Sequence, residues 1–154
     1  MKVYQFKQSQ FIPADLTTVW DFFSSPKNLK AITPPEMNFE VLEITGGEKM
    51  YAGQMISYKV SPLPFVRVRW VTEIKNVEYK RYFTDEQKVG PFALWYHQHF
   101  FSELNNGVLM TDEISYAIPF GILGRIANRM VVEKQVGNIF NYRTERIKSL
   151  FPLK

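Results

Sequence analysis

The sequence predicts an α+β fold: a curved antiparallel sheet of about seven strands, two short helices after the first strand, and one long C-terminal helix over the sheet. Three observations carry this. Between residues 39 and 117, six consecutive segments read as strands, most with alternating apolar and polar residues, separated by turns rich in Gly, Pro or Asn. Strands in a run joined by tight turns pair antiparallel. After Pro119 the apolar period changes to that of a helix. Aromatics are also abundant, with 13 Phe, 8 Tyr and 3 Trp in 154 residues, which suits a hollow core lined with rings.

The elements follow in order. Residues 3–11 alternate and read as a strand, broken by Pro13. Asp15 is a natural N-cap for a short helix whose stripe is Leu16, Val19, Trp20 and Phe23. Residues 27–32 form a second short helix after Ser25-Pro26, ended by Thr33-Pro34-Pro35. Residues 39–44 and 53–60 are strands, with Pro62 and Pro64 marking the turn after the second. Residues 66–74 give the clearest inside/outside pattern, Val66, Val68, Trp70, Thr72 and Ile74 alternating with Arg67, Arg69, Val71 and Glu73. Residues 81–88 precede a strand carrying the only two histidines, His97 and His99. Asn105-Asn106-Gly107 predicts a hairpin turn using positive φ, followed by a strand at 108–117. In the final helix Leu123, Ile126, Ala127, Met130, Gly137, Phe140, Ile147 and Phe151 fall near one face. Gly137 there predicts a close approach to the sheet or a kink.

Composition excludes several classes. Without cysteine there is no disulfide framework, thiolate metal site or thiol nucleophile. The first residues lack the apolar core of a signal peptide, and no apolar run is long enough to cross a membrane. The expectation is one cytoplasmic domain over 1–154 without membrane insertion, and a homodimer stays open. Of the net charge of +4, much lies late, at Arg125, Arg129, Lys134, Arg143, Arg146, Lys148 and Lys154, and reads as a solvated helix face. No basic-aromatic motif or zinc-finger spacing points to nucleic acid, and no phosphate loop or nucleotide fingerprint points to a cofactor.

On the histidine strand, period two puts Trp95, His97, His99 and Phe101 on one face. Four readings are open for that face: a self-satisfied buried polar patch, a ligand-orienting surface, acid/base chemistry, or a metal site with Asp112 or Glu86 as third ligand.

The stretches Val19-Trp20-Asp21-Phe22-Phe23, Asn28 through Pro35, Asp85-Glu86-Gln87, Gly90-Pro91-Phe92, Trp95-x-His97-x-His99-x-Phe101 and Thr111-Asp112-Glu113 through Gly121 are the motifs that carry a resemblance. Their order over essentially the whole chain resembles the START/Bet v 1-like (SRPBCC) helix-grip superfamily, in a bacterial branch related to polyketide cyclase/dehydrase and lipid-transport proteins. The resemblance implies a deep apolar pocket between sheet and C-terminal helix, holding a small lipid-, polyketide- or quinone-like molecule. Two alternatives accompany it: a cyclase/aromatase or dehydratase using His97 or His99 with Asp112, and an interaction protein that modulates a partner.

In such a fold the charges choose the inner face of each strand. Asp112 shares its face with Met110, Ile114 and Tyr116 and therefore points inward, where a carboxylate needs a partner. His97 and His99 are the obvious partners, with Asp85 and Tyr58 joining. Trp70, Trp95, Phe101 and Tyr116 would hold the apolar body of a ligand, and Met130 and Phe140 would face it from the helix. Trp20, Phe22 and Phe23 are read as helix packing.

Overall fold

A computed structural model describes residues 1–63 and 65–153. Pro64 and Lys154, one assigned to a turn and one to the basic helix face, lie outside the described residues. Strand β1 (Tyr4–Ile12) is followed by α1 (Leu16–Phe23) and two 3-10 turns (Pro26–Ile32 and Pro35–Met37). Six strands come next: β2 (Glu40–Ile44), β3 (Met55–Leu63), β4 (Val66–Glu78), β5 (Tyr82–Val89), β6 (Leu94–Leu104) and β7 (Gly107–Ala117). The chain ends in α2 (Gly121–Ala127), a π-helical turn (Asn128–Val132) and α3 (Glu133–Leu150). The seven strands form one antiparallel sheet in the order β1-β7-β6-β5-β4-β3-β2, so each of β2 to β7 neighbours the next in sequence. Hairpins make that order; only β1 reaches across to pair with β7.

Local chemistry explains the element ends. Asp15 caps α1, its carboxylate accepting from the Thr18 amide at 3.0 Å and the Thr18 hydroxyl at 2.6 Å. The β6–β7 hairpin forms as expected, but by another route: neither Asn105 nor Asn106 takes a positive φ. Glycine is required at Gly107 for space, since a Cβ there would lie 2.3 Å from the Ile12 carbonyl oxygen. Pro62 does not end β3. It sits where the pairing with β4 slips between Val60 and Leu63, a position that needs no ladder N–H. Further slips between β4 and β5, at Val71/Thr72 and Ile74/Asn76, bend the sheet.

The bent sheet is packed solid at one end and hollow at the other. At the solid end α1 and the end of α3 close over Ile12, Val19, Trp20, Phe83, Phe101, Met110 and Ile147. At the other end lie Met37, Phe39, Val60 and Trp70, with Ile114, Tyr116, Val136 and Phe140 opposite.

The C-terminal helix departs from the sequence reading. Its buried stripe is Val136, Phe140, Arg143 and Ile147 in α3, preceded by Asn128 and Gly124. Leu123, Ile126 and Met130 are exposed, Met130 by 72 %. The cause is the π turn, whose extra residue rotates everything before it relative to α3. A uniform 3.6 period carried across 121–150 therefore assigned the wrong residues to the inside. Gly137 makes no close approach, since a Cβ there meets nothing within 4 Å, and the irregularity lies at Asn128–Val132 instead.

Candidate functional site

The hollow end holds a cavity of about 300 Å³ between the sheet and α3. Its wall is largely aromatic and aliphatic, including Phe39, Ile56, Val60, Trp70, Phe92, Trp95, Ile139 and Phe140. Trp70 stands edge-on to Trp95 at 5.5 Å between ring centroids and near-parallel to Tyr58 at 6.1 Å. The Thr72 hydroxyl fixes two of these rings: the Trp70 indole donates to it at 3.1 Å and the Tyr58 hydroxyl lies 2.9 Å away. Thr72 itself is buried on the inner face of β4.

One wall is polar, and strand register builds it. Asp85 on β5 pairs directly with His97 on β6, and His99 pairs directly with Asp112 on β7. Successive same-face residues on β6 thus each face a carboxylate across one edge and meet the other carboxylate diagonally. His97 Nε2 lies 2.8 Å from Asp112 Oδ1, and its Nδ1 lies 3.6 Å from Asp85 Oδ2. His99 Nε2 lies 3.0 Å from Asp85 Oδ2. His99 Nδ1 is 2.9 Å from Asp112 Oδ1, but its N–H is poorly aligned, so this is an ion-pair contact rather than a good hydrogen bond. All four side chains are buried or nearly so, with His97 5 %, His99 7 % and Asp112 7 % exposed. Both imidazoles therefore face inward, away from Glu113, which pairs with Lys7 on the outer surface.

The two rings cannot be equally charged. Their centroids are 3.7 Å apart, too close for two imidazolium ions to coexist cheaply in a dry site. Burial and the neighbouring His99 hold His97 below its ordinary pKa. Burial also opposes charge on His99, but its contacts with Asp112 and Asp85 outweigh it and move that pKa up. Burial would raise Asp112, yet the hydrogen bond from His97 and the close approach of His99 hold it well below the carboxylate range. Of the two rings, His99, between two carboxylates, is the one where positive charge is favoured. Neutral His97 donates from Nε2 to Asp112, since an ionised carboxylate only accepts, and its Nδ1 is left as an acceptor.

The residues read from sequence as the site divide into two groups. Tyr58, Trp70, Asp85, Trp95, His97, His99 and Phe140 line the cavity together. Phe101 belongs to the solid end, against Trp20 and Phe83. Tyr116 packs on Tyr4 and Phe92, and Asp112 lies behind the imidazoles without lining the cavity. Met130 is on the solvent side, for the reason given above. Tyr58 joins Thr72 by hydrogen bond rather than the histidine–aspartate set. Phe22 and Phe23, read as packing alone, also border the cavity.

The main omission is Arg143, assigned to the solvated basic face but only 8 % exposed and lining the cavity. Its spacing from Val136, Phe140 and Ile147 places it on the buried stripe, a signal that the sequence contains. The ligand atoms of Asp85, His97 and His99 lie within 4.8 Å of one another, a spacing that a cation can use. The third member is thus Asp85, because Glu86 points outward to Lys75 and Lys88. A cation would have to take imidazole nitrogens that now hold the two carboxylates.

Several solved structures share the architecture. The protein TTHA0849 from Thermus thermophilus is 16 % identical with a TM-score of 0.66, the match covering 96 % of this chain and 99 % of that one. Major latex-like protein 151 from Panax ginseng is 14 % identical with a TM-score of 0.71, over 98 % of this chain and 99 % of that one. The di-domain ARO/CYC BexL from the BE-7585A biosynthetic pathway is 15 % identical with a TM-score of 0.73, over 99 % of this chain and 51 % of that one. No protein-family model matches the chain, and no curated protein is significantly similar to it in sequence. Among the described residues no helix is long and apolar enough to cross a membrane. The strand order, the helix over the bent sheet and these likenesses together show that the chain has the START/Bet v 1-like helix-grip fold.

Proposed function

We propose that the chain acts as one ligand-binding domain for a small hydrophobic or amphipathic molecule, lipid-, polyketide- or quinone-like, held between sheet and C-terminal helix. The supporting observation is the cavity of about 300 Å³, apolar over most of its wall and polar at one patch. Burying apolar ligand surface there supplies roughly 25 cal/mol per Å² before ordering costs, and the polar wall orients the molecule. A panel of fatty acids, aromatic polyketides and quinones should include members that raise the melting temperature, since ligand at 100 times its Kd adds about 2.7 kcal/mol. Ile139→Trp, which fills the cavity from its roof, should abolish that shift while retaining the native circular dichroism spectrum. A panel without effect on wild type, or an equal shift in the filled variant, would overturn the reading.

The neutral His97 facing the cavity favours a second reading, a cyclase/aromatase- or dehydratase-type enzyme in which the His–Asp set moves a proton. The two readings part on one double variant. In His97→Gln/His99→Gln an enzyme retains ligand binding and loses turnover of a polyketide-like substrate.

A further inference from the structure

The polar wall contains one group whose charge is not matched by contact. The carboxylates of Asp85 and Asp112 are both engaged by imidazoles. Arg143 reaches into the same cavity from α3 and stacks its guanidinium over the Phe140 ring, 4.6 Å from the centroid. Its Nε is buried without a hydrogen-bond partner, and among the described residues no carboxylate forms an ion pair with it. Guanidinium stays protonated in proteins. Asp112 and Asp85 offset its charge only from beyond ion-pair distance, and its planar set of donors matches an oxygen anion in two-point contact. Its α3 neighbours Val136, Ile139 and Phe140 supply no acceptor side chain, and Gln8, Gln10, Asp112 and Thr144, which border it on its other side, leave its Nε without a partner.

We infer that the cavity takes an apolar molecule bearing a single oxygen anion, a carboxylate or an ionised enol or phenol, and that Arg143 is the residue that receives it. The inference rests on the ligand-binding reading above and narrows it. The anion end lies at α3, beside the histidine–aspartate patch, and the apolar body extends past Trp70 and Trp95. The imidazoles of His97 and His99 are committed to Asp85 and Asp112 and leave the guanidinium to a ligand. A cationic ligand would place its charge against Arg143 with both carboxylates already occupied.

The test compares head groups on a constant body. Dodecanoate and dodecan-1-ol form one pair, 2-naphthoate and 2-naphthalenemethanol another, titrated calorimetrically into the full chain at neutral pH. In at least one pair the carboxylate should bind about tenfold more tightly or better than its alcohol. In Arg143→Met that preference should vanish while the alcohol keeps its wild-type affinity. Alcohols that bind as well as carboxylates, or a preference that survives in Arg143→Met, would overturn the inference and leave the cavity reading standing. Failure of both pairs to bind would overturn both. The wild-type comparison is decisive without any variant, and Arg143→Gln is available if the methionine variant does not fold.

Discussion

The histidines divide one task unequally. Burial and the neighbouring ring lower His97, whereas Asp112 and Asp85 raise His99 against its burial. A folded-state pKa above the ordinary value near 6.5 means that His99 adds stability below that pH, and that the contribution fades as pH rises through the folded value. The difference in unfolding free energy between wild type and His99→Gln should therefore be largest near pH 5 and shrink toward pH 9, measured by urea titration. An equal difference at both ends would refute the assignment of the proton. Asp112 answers to both rings, so its removal strands two imidazoles. Asp112→Ala should cost about 3–5 kcal/mol, the range for breaking a buried ion pair from one side.

The roof helix is three elements in sequence, and they differ in what holds them. Of α2 only Gly124 is buried, and it fits because a Cβ would lie 2.0 Å from the Pro119 carbonyl oxygen. In α3 Val136, Phe140, Arg143 and Ile147 are buried along one stripe. Backbone amides of residues 121–132 should therefore exchange with deuterium well before those of residues 136–147, and equal protection would count against this division. Gly137 lies in α3 with open space at its Cβ position. Gly137→Ala should raise stability by about 0.5–1 kcal/mol through helix propensity alone.

For the molecule as a whole, acid sensitivity follows from the buried carboxylate. Asp112 is held below its unfolded value, so its contribution is in place above about pH 4 and is lost as pH falls further. Chemical-denaturation midpoints should fall steeply below that point; a flat profile to pH 2 would contradict it. The architecture was legible because its signals are periodic and local: alternation in β4, β6 and β7, and a capping aspartate at α1. The pairing of Asp112 with the histidines was legible for the same reason, since period two put all three on inner faces. Met130 and Arg143 were misplaced for different causes. The π turn breaks the phase of the helix, and no residue type in Asn128–Val132 announces it. Charge also misled, because a basic residue among other basic residues reads as solvent-facing until its spacing from Phe140 and Ile147 is counted. Phe101 and Tyr116 share the inner face with the site residues but lie outside the cavity, Phe101 because α1 fills the solid end and Tyr116 because Phe92 and Trp95 pack against it, and strand periodicity carries no information on depth along a sheet.

That phase break has a meaning for how the protein can change. The segment up to and through the π turn is released from the packing demands that fix α3, so Ile122, Leu123 and Ile126 before it and Met130 within it answer to the exterior alone. That segment can be rewritten by substitution while Arg143, one helical element further on, stays in register. Selection, or a designer, can thus tune what meets the outside of this protein separately from what it holds inside.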